Sequence, residues 1–370
     1  MTPRNLVTQT AGIVLVGTHP WTHSSFDKLV PRPLLPIAHR PLMWYALSWL
    51  RDGGIQDVAV CANRETQILE SRLHRHVPAG IRVSYHEDSM PRGAAGAVRD
   101  AVAANDAEVF VVTDGTAIPD VVLSDLLQAH RTSRAAATVV VHAEPTGNGQ
   151  SIQVPTGIYV FNRAVLDFVP ATGFCDIKET LIPALHRAGV RVSPYSVASA
   201  SPRVLDASTY LAVNEWMVER LATPGNEPDG YVLTDGCLFH REATIAPDAV
   251  FVGPVLVGPG AQVESGAVVV GPSSIGREAT VEAGALVSRS AIWRRCVIQE
   301  NAVLDRCIVG DDAVVAPGTQ AFQQIRMAAV TREAEFARGR QIQEAQSLDL
   351  LKKMSRAFFG TAWSRSPAAQ

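Results

Sequence analysis

Asp114-Gly115 ends a continuous apolar run, EVFVVTDG (108–115). In open α/β sheets ligands sit beyond the carboxyl ends of the strands. Asp114 stands at such an end, and so does the segment after Gly17, which follows GIVLV (12–16). A third group is GAAGAVRDAVAA (93–104), whose Gly93 and Gly96 open a helical pattern. Taken alone, this segment reads as a helix start rich in small residues. Other chemistry lacks its residues. The five cysteines (Cys61, Cys175, Cys237, Cys296, Cys307) are odd in number, scattered and without a CxxC pair. They read as reduced thiols, not as a disulfide frame or a zinc site.

The elements that must position these groups alternate. Strand-like runs at 12–17, 57–62, 81–86, 108–113 and 136–143 are separated by helical patterns at 41–54, 65–76, 93–104 and 121–131. Gly53-Gly54 falls where the first helix must stop. Buried strands alternating with helices predict a mostly parallel sheet covered on both faces.

The texture changes after residue 221. ATPGNEPDG (222–230) reads as a linker. Beyond it Ile245, Phe251, Val257, Val263, Val269, Ile275, Val281 and Val287 recur every six residues, with Gly and small residues between them. The register then slips by one and continues through Ile292, Ile298 and Leu304. A fixed short period signals a solenoid. This one predicts a left-handed hexapeptide β-helix over 231–321, three hexads to a triangular coil. Hexapeptide coils also host acyltransferases, but no histidine lies between 241 and 321, and His240 stands just before the first clear coil. The usual general base is therefore missing. The coil is expected to serve oligomerisation. The tail, 322–370, reads as a basic amphipathic helix: from 326 on it holds eight Lys/Arg against four Asp/Glu. It would pack on the body or a second subunit; a membrane-surface role is the less favoured reading.

Composition sets the outer limits. With 47% hydrophobic residues the chain can bury real cores, and a net charge of −3 excludes a whole-chain polybasic nucleic-acid binder. No apolar run reaches the roughly 18 residues of a membrane span. The N-terminus lacks the pattern of a secretory signal, so a cytoplasmic protein is expected.

Several segments, in order, resemble the sugar-1-phosphate nucleotidylyltransferases, especially their mannose-1-phosphate guanylyltransferase-like branch. They are PRPLLPIAHRPL (31–42), RGAAGAVRDA (92–101), FVVTDG (110–115), TGIYVFNRAVLDFVP (156–170) and VLDASTYLAVNEWM (204–217), then the coil. The likeness runs from about 12 to about 320. It implies a Rossmann-like nucleotidyltransferase domain over 1–221 that joins NTP and sugar 1-phosphate into NDP-sugar and pyrophosphate. The protein's share of such a reaction is positioning and charge neutralisation with Mg²⁺. By the resemblance, Asp114 and Asp206 are the metal carboxylates. Gly17, Gly93, Gly96, Gly157 and Glu179 border nucleotide and sugar, while Arg32 and Lys178 offset phosphate charge. Asp206 also reads as a plain helix cap before Ala-Ser-Thr, Asp114-Gly115 as a turn, and Lys178-Glu179 as an exposed helix pair.

The departures lie mostly at the front. The family's phosphate loop, L-A-A-G-x-G-T-R, is replaced by LVGTHPWT, with Pro20, Trp21 and Thr22 where Gly, Thr and Arg belong. Such a loop cradles phosphates with successive N–H groups, and Pro20 has none to offer. Arg32 replaces the lysine of P-K-P-L, and the two are not equivalent. Lys28, His19 or His23 could partly substitute, the histidines being read mainly as loop surface. Between VVVHAEP (139–145) and TGIYVF only ten residues remain where the family carries several tens. Two readings follow. One is an active nucleotidyltransferase with a rebuilt site. The other is a catalytically silent relative, a regulatory or assembly subunit that binds nucleotide sugar and partners itself or an active homologue.

Overall fold

In the computed structural model the described residues are 10–17, 30–62, 66–88, 92–103, 105–147 and 150–328. The 18–29 segment, which holds His19, Pro20, Trp21, Thr22, His23 and Lys28, lies outside them. So does the expected tail helix beyond 328.

The first part of the chain follows the predicted alternation. β1 is Thr10–Val16, β2 Pro36–Ile37, β3 Arg40–Pro41, β4 Asp57–Ala62, β5 Arg82–Glu87 and β6 Val109–Asp114. β7 is Ala137–Pro145, β8 Ser151–Asn162 and β9 Val192–Val197. The helices are α1 Leu42–Asp52, α2 Thr66–Leu73, α3 Gly93–Val102, α4 Leu123–Ser133, α5 Ile182–Arg187 and α6 Ala207–Leu221. The main sheet has the order β5-β4-β1-β6-β8-β7-β9. β5, β4, β1 and β6 run parallel, and so do β7 and β9, while β8 is antiparallel to both neighbours. One antiparallel strand thus makes the sheet mixed. Alternate residues feed two cores: Ile13, Phe110, Val112 and Phe161 face α3, and Val14, Val60, Val111 and Val160 face α1 and α4. This is why β1 and β6 read as unbroken apolar runs.

β7 and β8 pair antiparallel down to Pro145 opposite Ser151, and Thr146 N–H donates to Gln150 O just beyond. Further along, β8 bulges. Tyr159 pairs with Val139, but Val141 pairs with Pro155. The extra residues include Thr156 and Gly157, the latter at φ 94°. A bulge of this kind re-aims groups at a sheet end.

The six-residue period builds a three-faced parallel β-helix. Its strands form three ladders, one of seven strands and two of five. The hairpin of β10 (Tyr231–Thr234) and β11 (Cys237–His240) starts the seven-stranded face, with Leu238 beside Leu256. Each turn of the coil first advances eighteen residues, Thr244 pairing with Gln262 and Gln262 with Thr280. It then advances seventeen: Thr280 pairs with Val297, and Val297 with Val314. The slip read after Val287 is therefore not a single event. Each later coil omits one residue at the same corner, and Arg289, Arg306 and Gln323 turn those corners at positive φ.

Val263, Val269, Ile275, Val281, Val287, Ile298 and Leu304 fill the interior. Two residues before each inward aliphatic lies a second buried ladder of small side chains: Ala261, Ala267, Ser273, Ala279, Ala285, Ser290, Cys296, Ala302 and Cys307. Cys296 and Cys307 are thus space-filling members of that ladder. All five cysteines are free and buried. Burial pushes the Cys61 and Cys296 thiols up to about 12, which leaves them inert at neutral pH.

The described residues up to Arg326 belong to one compact unit. Within it, α6 lies on the seven-stranded face of the coil. The outward residues Leu256, Ser274 and Ala291 of that face are buried, whereas outward residues of the other two faces, Val250, Val252 and Val314, are exposed. Asn214 of α6 bridges: its Oδ1 accepts from Ala38 N–H at 2.9 Å, and its Nδ2 donates to Ser274 Oγ at 3.1 Å. Among the described residues no helix is long and apolar enough to cross a membrane.

Candidate functional site

Asp114 is the last residue of β6, opposite Leu15 of β1, and Gly115 N–H donates to Leu15 O at 2.9 Å. The strand therefore delivers this carboxylate to the carboxyl end of the parallel strands, as the sequence predicts. Both of its oxygens are engaged. Oδ1 accepts from Thr116 N–H at 2.8 Å and from Thr116 Oγ1 at 2.7 Å. Oδ2 accepts from Arg203 Nη1 at 2.7 Å, and Arg203 Nη2 donates to Thr156 O at 3.1 Å.

Arg203 is placed by backbone. It forms an antiparallel bridge with Ala117, flanked by Ile118 N–H to Pro202 O at 2.8 Å and Val204 N–H to Thr116 O at 3.1 Å. Gly157 makes room for it. A Cβ on Gly157 would lie 2.7 Å from Arg203 Nη2 and 3.7 Å from the Cβ of Asp114. The structure thus brings Asp114 and Gly157 together, and adds a residue that the sequence reading missed. No local pattern marks Arg203, because its partner is 89 residues away.

Asp206 lies three residues further on, as the N-cap of α6. Its Oδ1 accepts from Thr209 N–H, Thr209 Oγ1 and Ser208 Oγ within 2.9 Å, and Thr209 Oγ1 in turn accepts from Asp206 N–H. This is a capping box. The Thr209 amide, then the Ser208 hydroxyl, hold the carboxyl below the usual carboxylate range. The cap reading of Asp206 therefore describes what the side chain does in this fold.

A second group gathers around α3. Gly93 sits at φ 73°, and a Cβ there would lie 2.6 Å from Cys175 O. That carbonyl accepts from the N–H groups of Ala95 and Gly96 at 3.0 and 3.4 Å. The helix start that the sequence offers to a ligand is here occupied by the chain's own carbonyl. Gly96 faces Arg92, whose Cβ would be 2.6 Å from a Cβ at 96. Gly93→Ala adds a left-handed penalty to this clash and is expected to cost about 2 kcal/mol or more. Urea unfolding checks it, and an unchanged midpoint would contradict this geometry.

Immediately after Cys175, Asp176 Oδ1 caps a π-helical turn, Ile177–Leu181, by accepting from the N–H groups of Lys178 and Glu179. The Lys178 and Glu179 side chains are exposed, and neither is in an ion pair with a described residue. The buried phenol of Tyr159 links the two groups. Burial raises its pKa, and Asp176, Arg203 and Asp114 all act on it electrostatically. Gly17 is exposed just after β1, with no described atom close to where its Cβ would stand. Arg32 opens a half-buried 3-10 turn, Arg32–Leu34.

Mg²⁺ demands oxygen ligands at about 2.0–2.1 Å in near-octahedral array. Asp114 offers no oxygen that is not already hydrogen-bonded, and Asp206 spends one oxygen on its helix. Among the described residues there is no group of three or more His, Cys, Asp or Glu that could hold a metal. With Arg203 Nη1 on Asp114 Oδ2, the described side chains form no protein-only cage for a divalent ion, and a Mg²⁺ held by one or two carboxylates would lean on substrate phosphates.

The described architecture is an α/β sheet with a carboxylate at its β6 end, continued by a three-faced β-helix. Residues 26–152 match the family profile described as Nucleotidyl transferase, and residues 251–337 that described as GMPPB C-terminal domain. The chain carries a nucleotidyltransferase-family domain followed by a GMPPB-type C-terminal domain. It is 25% identical over 281 residues to a mannose-1-phosphate guanylyltransferase of Mycobacterium tuberculosis, covering 70% of this chain and 77% of that protein. It is 23% identical to a mannose-1-phosphate guanyltransferase of Kluyveromyces lactis, over 68% of this chain and 72% of that protein. With a UTP--glucose-1-phosphate uridylyltransferase of Synechocystis the identity is 24%, and the match spans about half of either chain (46% and 52%). Among solved structures, HddC from Yersinia pseudotuberculosis complexed with GMP-PN aligns with a TM-score of 0.47 at 13% identity, over 56% of this chain and 99% of that one.

Proposed function

We propose that this chain is a nucleotide-sugar-binding member of the sugar-1-phosphate nucleotidyltransferase family that does not carry out Mg²⁺-dependent transfer. It acts as a regulatory or assembly subunit, in an oligomer with itself or with an active homologue. The observation that carries this reading is the Asp114 carboxylate, engaged on one oxygen by Thr116 and on the other by Arg203. The sequence supports it from two other directions. Pro20, Trp21 and Thr22 stand where phosphate-cradling residues belong, and only ten residues join VVVHAEP to TGIYVF where the family carries a longer recognition hairpin. The exposed faces of the coil, which carry Val250 and Val252, are available for subunit contacts.

Calorimetry with a panel of NTPs and NDP-sugars, with and without Mg²⁺, tests this reading. A pyrophosphate-release assay across sugar 1-phosphates accompanies it. The expected result is NDP-sugar binding and no pyrophosphate release. Pyrophosphate release that Asp114→Ala abolishes would instead establish the active-transferase reading. No binding of any nucleotide would remove the ligand half of the proposal and leave only the assembly role.

A further inference from the structure

We infer that Arg203 stands in the place of a divalent cation: its guanidinium, fixed on Asp114, makes the phosphate end of this site independent of metal. The inference rests on reading the β6 end as a nucleotide-phosphate site. Three features converge on the same guanidinium. The backbone bridge of Arg203 with Ala117 fixes where its side chain starts. The absent side chain of Gly157 leaves the space that Nη2 fills, at 2.7 Å from where a Cβ would be. Asp114 Oδ2 and Thr156 O then accept one bond from each terminal nitrogen. A cation on Asp114 Oδ2 at about 2.1 Å would share that oxygen with the Arg203 guanidinium, whose Nη1 is held at 2.7 Å, and the two positive charges would repel each other.

An Asp–Arg pair differs from an Asp–metal pair in what it offers a ligand. A guanidinium has five donors in a planar fork that suits phosphate oxygens. Two of its nitrogens are spent on protein here, and the side chain remains 31% exposed. One fixed unit of charge replaces two. A diphosphate linked to sugar is therefore a better match than a triphosphate with its larger charge. Chelation has no ion to remove.

The test uses the full chain and Mn²⁺ alone, followed by loss of the free-ion paramagnetic resonance signal. Wild type is expected to bind no Mn²⁺ at this site. Arg203→Met, which keeps the aliphatic stem and removes the charge, frees Asp114 and is expected to take up Mn²⁺ measurably through that carboxylate and water, and to lose that uptake in Arg203→Met/Asp114→Asn. Arg203→Ala serves as a second variant should the first melt early. Wild-type Mn²⁺ binding that Asp114→Asn abolishes would overturn the inference, and so would a failure of both folded Arg203 variants to gain an ion.

NDP-sugar affinity in EDTA gives the second readout. It is expected to stay within twofold of the value in Mg²⁺ for wild type, and to fall at least tenfold in Arg203→Met. A tenfold weakening of wild type by EDTA would overturn the inference. Should no NDP-sugar bind under any condition, the functional reading fails, and the Mn²⁺ experiment alone decides the role of Arg203.

Discussion

Trp293→Ala is expected to destabilise the protein by about 3–5 kcal/mol, the usual range for deleting a buried Trp. Trp293 follows the inward Ile292 of the coil, so alternation turns it outward, yet it is only 4% exposed. What covers it is α6. The Trp293 ring meets Tyr210 edge-on, with centroids 6.1 Å apart. Its Nε1 donates to Tyr210 Oη at 2.8 Å, and that hydroxyl donates to Pro36 O at 2.6 Å. One aromatic pair therefore ties the coil, α6 and the β2–β3 hairpin together. Trp293→Phe keeps most of the apolar volume and loses the Nε1 bond, and is expected to cost about 1 kcal/mol. Urea unfolding followed by circular dichroism separates the two. A loss below about 1 kcal/mol for Trp293→Ala would show that this pair does not hold the lobes together.

That junction marks where sequence legibility ends. The interior of the coil is legible because a buried aliphatic must recur at every pass of the chain, and Val263, Val269, Ile275, Val281 and Val287 do. Strand ends are legible for the same kind of reason: VFVVT must stop where Asp114 meets solvent. The covering of one face is different. Ser274 and Ala291 are buried by a helix some 60 residues earlier in the chain, and nothing in a six-residue period distinguishes a covered face from a bare one.

The site divides likewise. Asp206 before Ala-Ser-Thr is a local capping signal and can be read directly. Gly93 and Gly96 show that backbone comes close to something, but not that the something is the chain's own Cys175 carbonyl. Arg203 is invisible locally because its meaning comes from a bridge to Ala117 and a space left by Gly157. Glycines and carboxylates announce a site; long-range pairing decides what fills it.

Acid is expected to weaken the fold through His39, at the tip of the β2–β3 hairpin. Ala38 and His39 turn that hairpin at φ 43° and 69°. The ring is carried against the coil, where its Nδ1 meets Tyr231 Oη at 3.0 Å. A Cβ on Gly258 would lie 3.0 Å from its Cε1, so the coil backbone is in close contact. Its Nε2 is shut off from solvent. Burial, followed by the charge of Arg40, with Arg277 and His240 adding to it, lowers the His39 pKa from 6.5 to about 3.

Below pH 6.5 the unfolded chain takes up a proton that the folded chain refuses. The contribution of His39 is therefore whole above pH 6.5 and is lost as pH falls, by about 1.4 kcal/mol per pH unit, until about pH 3. His39→Asn keeps a residue that tolerates positive φ and removes the titration. Between pH 7 and pH 5 the wild type is expected to lose about 2 kcal/mol more than His39→Asn. Other titrating groups are common to both proteins and cancel in the difference. Urea midpoints at the two pH values supply the measurement. Parallel losses would mean that His39 is protonated within the fold, and that the hairpin does not seal its ring against the coil.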